Sequence, residues 1–279
     1  MATAPRISPL TAAPVLPENL DGEDGMAMLA RSWNQAAHGY DDYFVPRFAP
    51  WLTDAIDALP LDLPAGVLVV PCCGTGPELP VLAARYPGRQ ILGIDLASGM
   101  LACAAERTRH VPNVVLREAD ASDTTGWPSC AAVLSLFGLQ QLPRPATALG
   151  SWMRALVPGG VLSVVFWPFV VEDDGPFAWF RAALARHMVL PAGAWEGELT
   201  EAISLAGGRL HDDCELQHGM RHASAADFLD AVLDTGPGQM LIEEHGAAWA
   251  DTLRREFLAT APQGPITHTP SARLLLARR

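Results

Sequence analysis

The residues best placed to do chemistry lie between Val67 and Asp95, in the run VLVVPCCGTGPELPVLAARYPGRQILGID. An apolar strand enters a glycine turn, Cys72-Cys73-Gly74-Thr75-Gly76; a helix follows, and a second strand ends in an acid. Glycines at such a turn let backbone approach a ligand, and a carboxylate closing the next strand accepts hydrogen bonds from ribose hydroxyls. The pattern predicts a nucleoside-bearing ligand at the carboxyl end of a parallel sheet, with Asp95 as its ribose anchor. A dinucleotide, and with it an NAD-dependent oxidoreductase, fits less well, because a GxGxxG run from Gly74 needs glycine at 79 and finds Leu79. Cys72 and Cys73 are adjacent, so they point apart on an extended backbone. They read as reduced thiols packed at the turn, not as a metal pair.

Those residues need elements to hold them. Short apolar runs predict strands at 67–71, 90–94, 113–117, 130–136 and 161–167. Between them, helices are expected at 78–86, 98–109 and 145–156. The last carries Leu149, Trp152, Met153 and Leu156 on one face and stops at Val157-Pro158-Gly159-Gly160. Strand, crossover helix and strand in repetition predict an α/β, doubly wound sheet. Upstream, Met28, Trp33, Ala37, Tyr40 and Phe44 recur at helical spacing, and a further short helix through Asp54, Ile56 and Leu59 ends near Pro60. Beyond Trp167 the rhythm breaks into an insertion, followed by helices at 198–207, 224–234 and 240–259 and strands at 209–218 and 272–277. The expected division is a flexible tail at 1–23, a helical lid at 24–62, and a core at 63–279 with an insertion at about 168–208.

Composition removes whole classes of function. The net charge of −12 opposes a nucleic-acid partner, which needs clustered cations. All 19 basic residues are arginine, so neither a lysine Schiff base nor a GxxxxGK phosphate loop exists here. Five cysteines give no disulfide framework. No apolar run is long enough to span a bilayer, and the start lacks the cationic and apolar regions of a secretion signal. A cytoplasmic protein without a membrane partner is expected; the oligomeric state is not legible.

Several motifs in order resemble one family. CCGTG at 72–76, GIDLASGML at 93–101, EAD at 118–120, FGLQQLPRP at 137–145 and LVPGGVLSVVFW at 156–167 are similar to those of class I S-adenosylmethionine-dependent methyltransferases. The resemblance covers residues 64–167. It implies a Rossmann-like, seven-stranded sheet whose last strand is antiparallel, the pieces at 209–218 and 272–277 supplying that hairpin. It implies S-adenosyl-L-methionine as cofactor, with Gly74 and Gly76 beside its methionine part and Asp95 on both ribose hydroxyls. Leu96 and Met100 would line the adenine, Asp120 and the backbone of Ala121 would meet its amino group, and Ser135, Leu136 and Phe137 would border the sulfonium. With Tyr40, Cys72, Cys73 and Gln141 these form the expected cofactor-binding set.

Methyl transfer is an in-line displacement, so a lidded cavity that aligns two reactants matters more than any acid or base. Tyr40 and Tyr43 are the expected lid residues, a hydroxyl for the cofactor carboxylate and a ring face for a sulfonium. With Gln140 they form the expected catalytic set; His38 is a weaker candidate base. Two departures from the family stand out. Val70 replaces an acid and Cys72 a glycine, which removes a carboxylate near the cofactor ammonium; Gln140 and Gln141 replace a His-His pair and cannot take a proton. The departures leave three readings: methyl transfer to a small specialised metabolite, a non-methylating use of the cofactor (cyclisation to azetidine-2-carboxylate and methylthioadenosine, or a pericyclic step), and binding without turnover. His187, His211, His218, His222, Trp179 and Trp195 lie where an acceptor pocket would be built, though structural placement is the plainer reading of each.

Overall fold

A computed structural model describes residues 23–190 and 195–279; the proline-rich start, read as a tail, lies outside them apart from Glu23. In chain order the elements are α1 (Glu23–Asp57), β1 (Val67–Pro71), α2 (Glu78–Arg85), β2 (Ile91–Asp95), α3 (Ser98–Thr108), β3 (Val114–Glu118), β4 (Cys130–Leu136), α4 (Pro145–Ala155) and β5 (Leu156–Phe166). Then come α5 (Pro176–Leu184), α6 (Leu199–Leu205), β6 (Arg209–Gln217), β7 (Met220–His222), α7 (Ala225–Leu233), α8 (Gly236–His245), α9 (Ala247–Thr260), β8 (Ile266–His268) and β9 (Ser271–Arg278). Seven strands form one sheet in the order β3-β2-β1-β4-β5-β9-β6. The first five are mutually parallel, and β9 runs antiparallel to β5 and β6, as the resemblance implied. β1, β2 and β4 bury nearly every residue because helices cover both faces.

Helix α1 departs most from expectation. It is one helix of 35 residues with Pro46 and Pro50 inside it, where two shorter helices were predicted. Each interior proline costs roughly 3 kcal/mol. Against that, Phe44, Phe48, Trp51 and Ile56 are all at least 93% buried on one sheet face, at about 1.5–3 kcal/mol each. Polar ties reinforce the seat: Trp51 Nε1 donates to the Leu216 carbonyl at 2.9 Å, and Ser163 Oγ to the Ala55 carbonyl at 2.9 Å. The opposite face is covered by α4 and α6, through Leu149, Trp152, Met153 and Ile203.

Three further differences have local causes. The Val157-Pro158-Gly159-Gly160 stop lies within β5, as an irregularity between the pairs Cys130–Leu156 and Ala132–Val161. The chain end stitches it down, Gly159 N–H to the Arg279 carbonyl and Arg279 N–H to the Gly160 carbonyl. The helix expected at 240–259 is two, α8 and α9, broken at Gly246, whose φ of 85° ends a helix without a Cβ penalty. The insertion, for which no element was placed between 168 and 197, contains α5, whose Phe177 N–H donates to the Glu172 carboxylate at 2.7 Å. A hydrophobic cluster of α5, α7, α8 and α9 centres on Phe228, Leu253 and Phe257.

A two-stranded sheet of β7 and β8, invisible in the pattern because each strand has three residues, carries a buried polar relay. Tyr43 hydroxyl meets His222 Nδ1 at 2.7 Å, His222 Nε2 meets His268 Nε2 at 2.9 Å, and His268 Nδ1 meets Glu172 at 2.7 Å. Assigned inward from Glu172, His268 donates from Nδ1, His222 donates from Nε2, and His222 Nδ1 accepts from Tyr43. Burial, then the neighbouring His268, drops His222 to about 3, so its ring stays neutral. The relay fastens α1 to the helical insertion. Tyr43→Phe leaves a buried ring nitrogen unpaired and should cost about 1–3 kcal/mol in a urea titration; an unchanged midpoint would show that the relay is not held through Tyr43.

Candidate functional site

At the carboxyl ends of β1, β2 and β4 the backbone makes room for a ligand. Cys72, Gly74 and Gly76 all lie in the left-handed region, at φ of 54°, 54° and 66°. Alternating left-handed residues fold the turn back so that Gly74 N–H donates to Asp95 Oδ2 at 2.8 Å. Asp95 Oδ1 accepts from Ala97 N–H at 2.9 Å, which holds the carboxylate at the head of α3. Burial raises the Asp95 carboxyl, and the N–H groups of Ala97, Gly74 and Leu96 pull against that rise. A carboxylate has about four lone-pair sites, so with these backbone donors Asp95 keeps acceptor capacity on the side that faces the cavity.

Helix α1 forms the facing wall. Asp41 accepts from the Thr75 hydroxyl at 2.5 Å and from Arg107 at 2.8 and 2.9 Å, while Arg107 also donates to the Thr75 carbonyl. Asn34 Oδ1 accepts from Gly99 N–H at 2.6 Å. The glycine turn, α1 and α3 are thus fixed to one another. Between them lies a cavity lined on one side by Cys72, Cys73, Gly74, Asp95, Leu96, Met100, Asp120, Ala121, Leu136, Phe137 and Gln141. Tyr40 closes it from α1, beside an apolar wall of Met26, Leu29, Trp33, Val45, Phe48 and Leu52.

The structure therefore brings together twelve of the sixteen expected site residues, all those just named in the turn and strand ends plus Tyr40. Trp152 Nε1 donates to the Ala121 carbonyl at 2.7 Å and fixes that loop; Asp120 Oδ1 accepts from Ser122 N–H and hydroxyl, both at 2.8 Å, while its residue also lines the cavity. Gln141 lines it too, with a buried Oε1 that has no hydrogen-bond partner, an acceptor left for a ligand donor. Phe137, at φ of 54°, stacks on Trp167 with ring centroids 4.4 Å apart and meets Phe48 at 4.5 Å.

Four expected residues lie elsewhere. Tyr43 belongs to the buried histidine relay, because it faces β7 and not the turn. Gly76 is a packing glycine: a Cβ there would sit 2.6 Å from Leu79 Cδ1 and 3.1 Å from Ala104 Cβ. Ser135 is fully buried and donates to the Pro71 carbonyl at 3.3 Å, tying β4 to β1 behind the turn. Gln140 is buried and donates to the Phe137 carbonyl at 2.8 Å, holding that backbone in place. The candidate base His38 sits by Cys103 at 3.7 Å, away from the cavity lining. His187 pairs with Glu256, His218 with Asp54, Trp179 with Asp174, and Trp195 packs on Phe166; none lines the cavity, nor does His211.

Sequence reasoning missed Glu78 altogether. It is 3% exposed, lines the cavity from the first turn of α2, and has its carboxyl raised to about 8, by burial first and by Asp95, against its own backbone N–H and Arg107. The available signal was an acid inside the otherwise apolar run Pro77–Leu82. Trp33 was read as part of a helical stripe, and Phe48 was not singled out, because a wall and a core share the same helical stripe.

Two stability predictions follow from this geometry. A carboxyl whose folded value of about 8 exceeds its ordinary 4.5 keeps its proton only in the native state between those values. Stability is therefore full below pH 4.5 and declines as pH rises towards 8. Glu78→Gln should flatten that decline and make the ligand-free protein more stable at pH 9, by up to about 5 kcal/mol, as read from melting curves at pH 5 and 9. The second concerns Cys72 and Gly138, since a Cβ on Gly138 would fall 2.5 Å from Cys72 Cβ. Gly138→Ala should cost about 1–3 kcal/mol, and Cys72→Gly should relieve part of it in a double-mutant cycle; additive costs would show the contact to be slack.

Known proteins match in the same region. The family description Methyltransferase domain fits residues 70–164. A trans-aconitate 2-methyltransferase of Methylobacterium nodulans is 38% identical over 111 residues, covering 40% of this chain and 42% of that protein. A 2-phytyl-1,4-naphtoquinone methyltransferase of Thermosynechococcus vestitus is 34% identical over 155 residues, covering 54% of this chain and 67% of the relative. The chain thus spans from under half to two thirds of the length of these curated relatives. A crystal structure of geranyl diphosphate C-methyltransferase from Streptomyces coelicolor A3(2), in complex with S-adenosyl-L-homocysteine, superposes with a TM-score of 0.54 at 13% identity, over 91% of this chain and 97% of that one. That likeness is one of fold.

Proposed function

The chain belongs to the class I S-adenosylmethionine-dependent methyltransferase family, and on that premise we propose that it methylates an apolar small molecule that carries no net negative charge, a specialised metabolite. The observation that carries the reading is the two-sided cavity. One side offers the Asp95 carboxylate beneath a glycine turn, and the other is the apolar stripe of α1.

S-adenosylmethionine supplies a methyl group activated by its sulfonium. The cavity residues fit it. Asp95 takes the ribose hydroxyls, Leu96 and Met100 flank the adenine, and Asp120 with Ala121 meets its polar edge. Tyr40 keeps its proton, since burial first and then Glu78, Asp95 and Asp41 raise its phenol, so it acts as a donor and a ring face, not as a base. Trp33 meets Tyr40 edge to face at 5.4 Å, and the α1 wall excludes water while it aligns the acceptor.

Charge selects the acceptor. Glu78, Asp95 and Asp120 line the cavity, and among its described lining residues there is no arginine or histidine. A tricarboxylate such as the one for which the first relative is named would bring further unpaired negative charge into a desolvated site. An uncharged ring system, as in the naphthoquinone relative's name, meets no such penalty. The cavity lining holds no neutral imidazole, which favours acceptors whose nucleophile needs no strong base. Five unpaired cysteines and net charge −12 fit a cytoplasmic enzyme with no nucleic-acid partner; no helix among the described residues is long and apolar enough to cross a membrane.

Mass analysis after incubation with S-adenosylmethionine and a panel of acceptors tests the reading. S-adenosylhomocysteine and a methylated product are expected from apolar, uncharged acceptors, with none from trans-aconitate. Methylation of trans-aconitate would overturn the charge argument. Methylthioadenosine formed from the cofactor alone would replace methyl transfer with intramolecular cyclisation.

A further inference from the structure

The cavity contains one carboxyl group that the reading above leaves without work. Asp95 has the ribose, and Asp120 is tied to Ser122 beside the adenine position. Glu78 lies past the glycine turn from Asp95, next to Tyr40, and is 3% exposed. The strongest cation acting on it is Arg107, whose guanidinium is engaged by the Asp41 carboxylate and the Thr75 carbonyl. A buried carboxyl without a cation of its own is costly unless a ligand brings the counter-charge.

The neighbouring strand offers no alternative. Val70, near the end of β1, is 1% exposed and packed in the apolar core, so β1 presents no acid to the turn. Asp95, Gly74 and Glu78, in the first turn of α2, line one cavity, so a ligand with its ribose at Asp95 could extend past Gly74 towards Glu78. There an amino acid moiety would meet Glu78.

We propose that Glu78 binds the ammonium group of the cofactor's aminobutyrate part, supplying from α2 the carboxylate that Val70 does not supply from β1. The assignment rests on the methyltransferase reading and deepens it. A bound ammonium gives a counter-charge to the most deeply buried acid of the cavity, whose nearest cation, Arg107, is already engaged by Asp41, and the raised Glu78 carboxyl of the ligand-free protein is the cost that this pairing offsets. It would also keep the amino nitrogen protonated, and an ammonium has no lone pair with which to attack the γ-carbon, which works against cyclisation and for methyl transfer. Glu78 is a cofactor-positioning residue, conserving the geometry by charge while Asp95 does so by hydrogen bonds.

Calorimetric titration of the full chain with two probes tests this. S-adenosylhomocysteine carries the aminobutyrate ammonium; 5′-methylthioadenosine keeps the adenosine and sulfur and lacks it. Glu78→Gln is expected to weaken S-adenosylhomocysteine about tenfold or more and to leave 5′-methylthioadenosine within about twofold, while the melting temperature does not fall. A merely structural role would weaken both probes together, and that result overturns the proposal. So does equal binding of S-adenosylhomocysteine by native and variant protein. If the native protein binds neither probe, the methyltransferase reading itself fails and takes the assignment with it.

Discussion

Burial of the aromatic stripe on α1 against the sheet is the interaction on which the rest of the molecule depends. Phe48 and Trp51 pack on Phe137 and Trp167, with Phe44 stacked on Phe48, and this contact holds a helix that contains two prolines in one piece. Because the helix stays continuous, its first half projects past the sheet and walls a cavity that β1, β2 and β4 alone would leave open. The same seat brings Asp41 to Thr75 and Arg107, and Tyr43 to His222. One packed surface thus sets the turn, the wall and the attachment of the insertion.

The electrostatics of the cavity follow from what that packing excludes. Its walls are apolar, its described lining holds no cationic side chain, and three carboxyl groups face it. Such an arrangement is poor for the empty protein and suited to a ligand that carries positive charge at two points, a sulfonium and an ammonium. The cost of burying Glu78 falls on the ligand-free protein, and strained or desolvated groups of this kind collect at functional sites. The left-handed Cys72 and Phe137 belong to the same class, each held by neighbours that leave no alternative: Gly138 beside Cys72, and Trp167 against the Phe137 ring.

Much of this was legible in the residues. Strands at 67–71 and 130–136, the crossover helices and the position of Asp95 at the end of β2 follow from period and turn chemistry, which are local properties of a chain. Twelve of the sixteen expected residues line one cavity for the same reason: a strand end and the turn after it place side chains by covalent geometry alone. The misplaced four show where that reasoning stops. Gly76 and Ser135 sit in the right motif, but their surroundings belong to α3 and β1, and only packing reveals that one fills a helix contact and the other a strand junction. Tyr43 lies three residues, nearly a helical turn, from Tyr40, and the rotation between them sends one ring to the cavity and the other to a histidine in β7.

The sequence by itself determined the doubly wound sheet, the glycine turn and the acid that closes β2, because each is written in contiguous residues whose conformations are set within a few bonds. It also set the chemical limits: no lysine, a net negative charge, and an apolar position at Val70. Only the tertiary structure decided that α1 runs unbroken through its prolines, since the burial energy that overrides them comes from β4 and β5. Only it joined Tyr43, His222, His268 and Glu172, four residues from four distant segments. And only it turned Glu78 from an acid in an apolar helix into a desolvated group facing the cavity, because burial and the prior engagement of Arg107 are properties of the folded neighbourhood and of no stretch of chain.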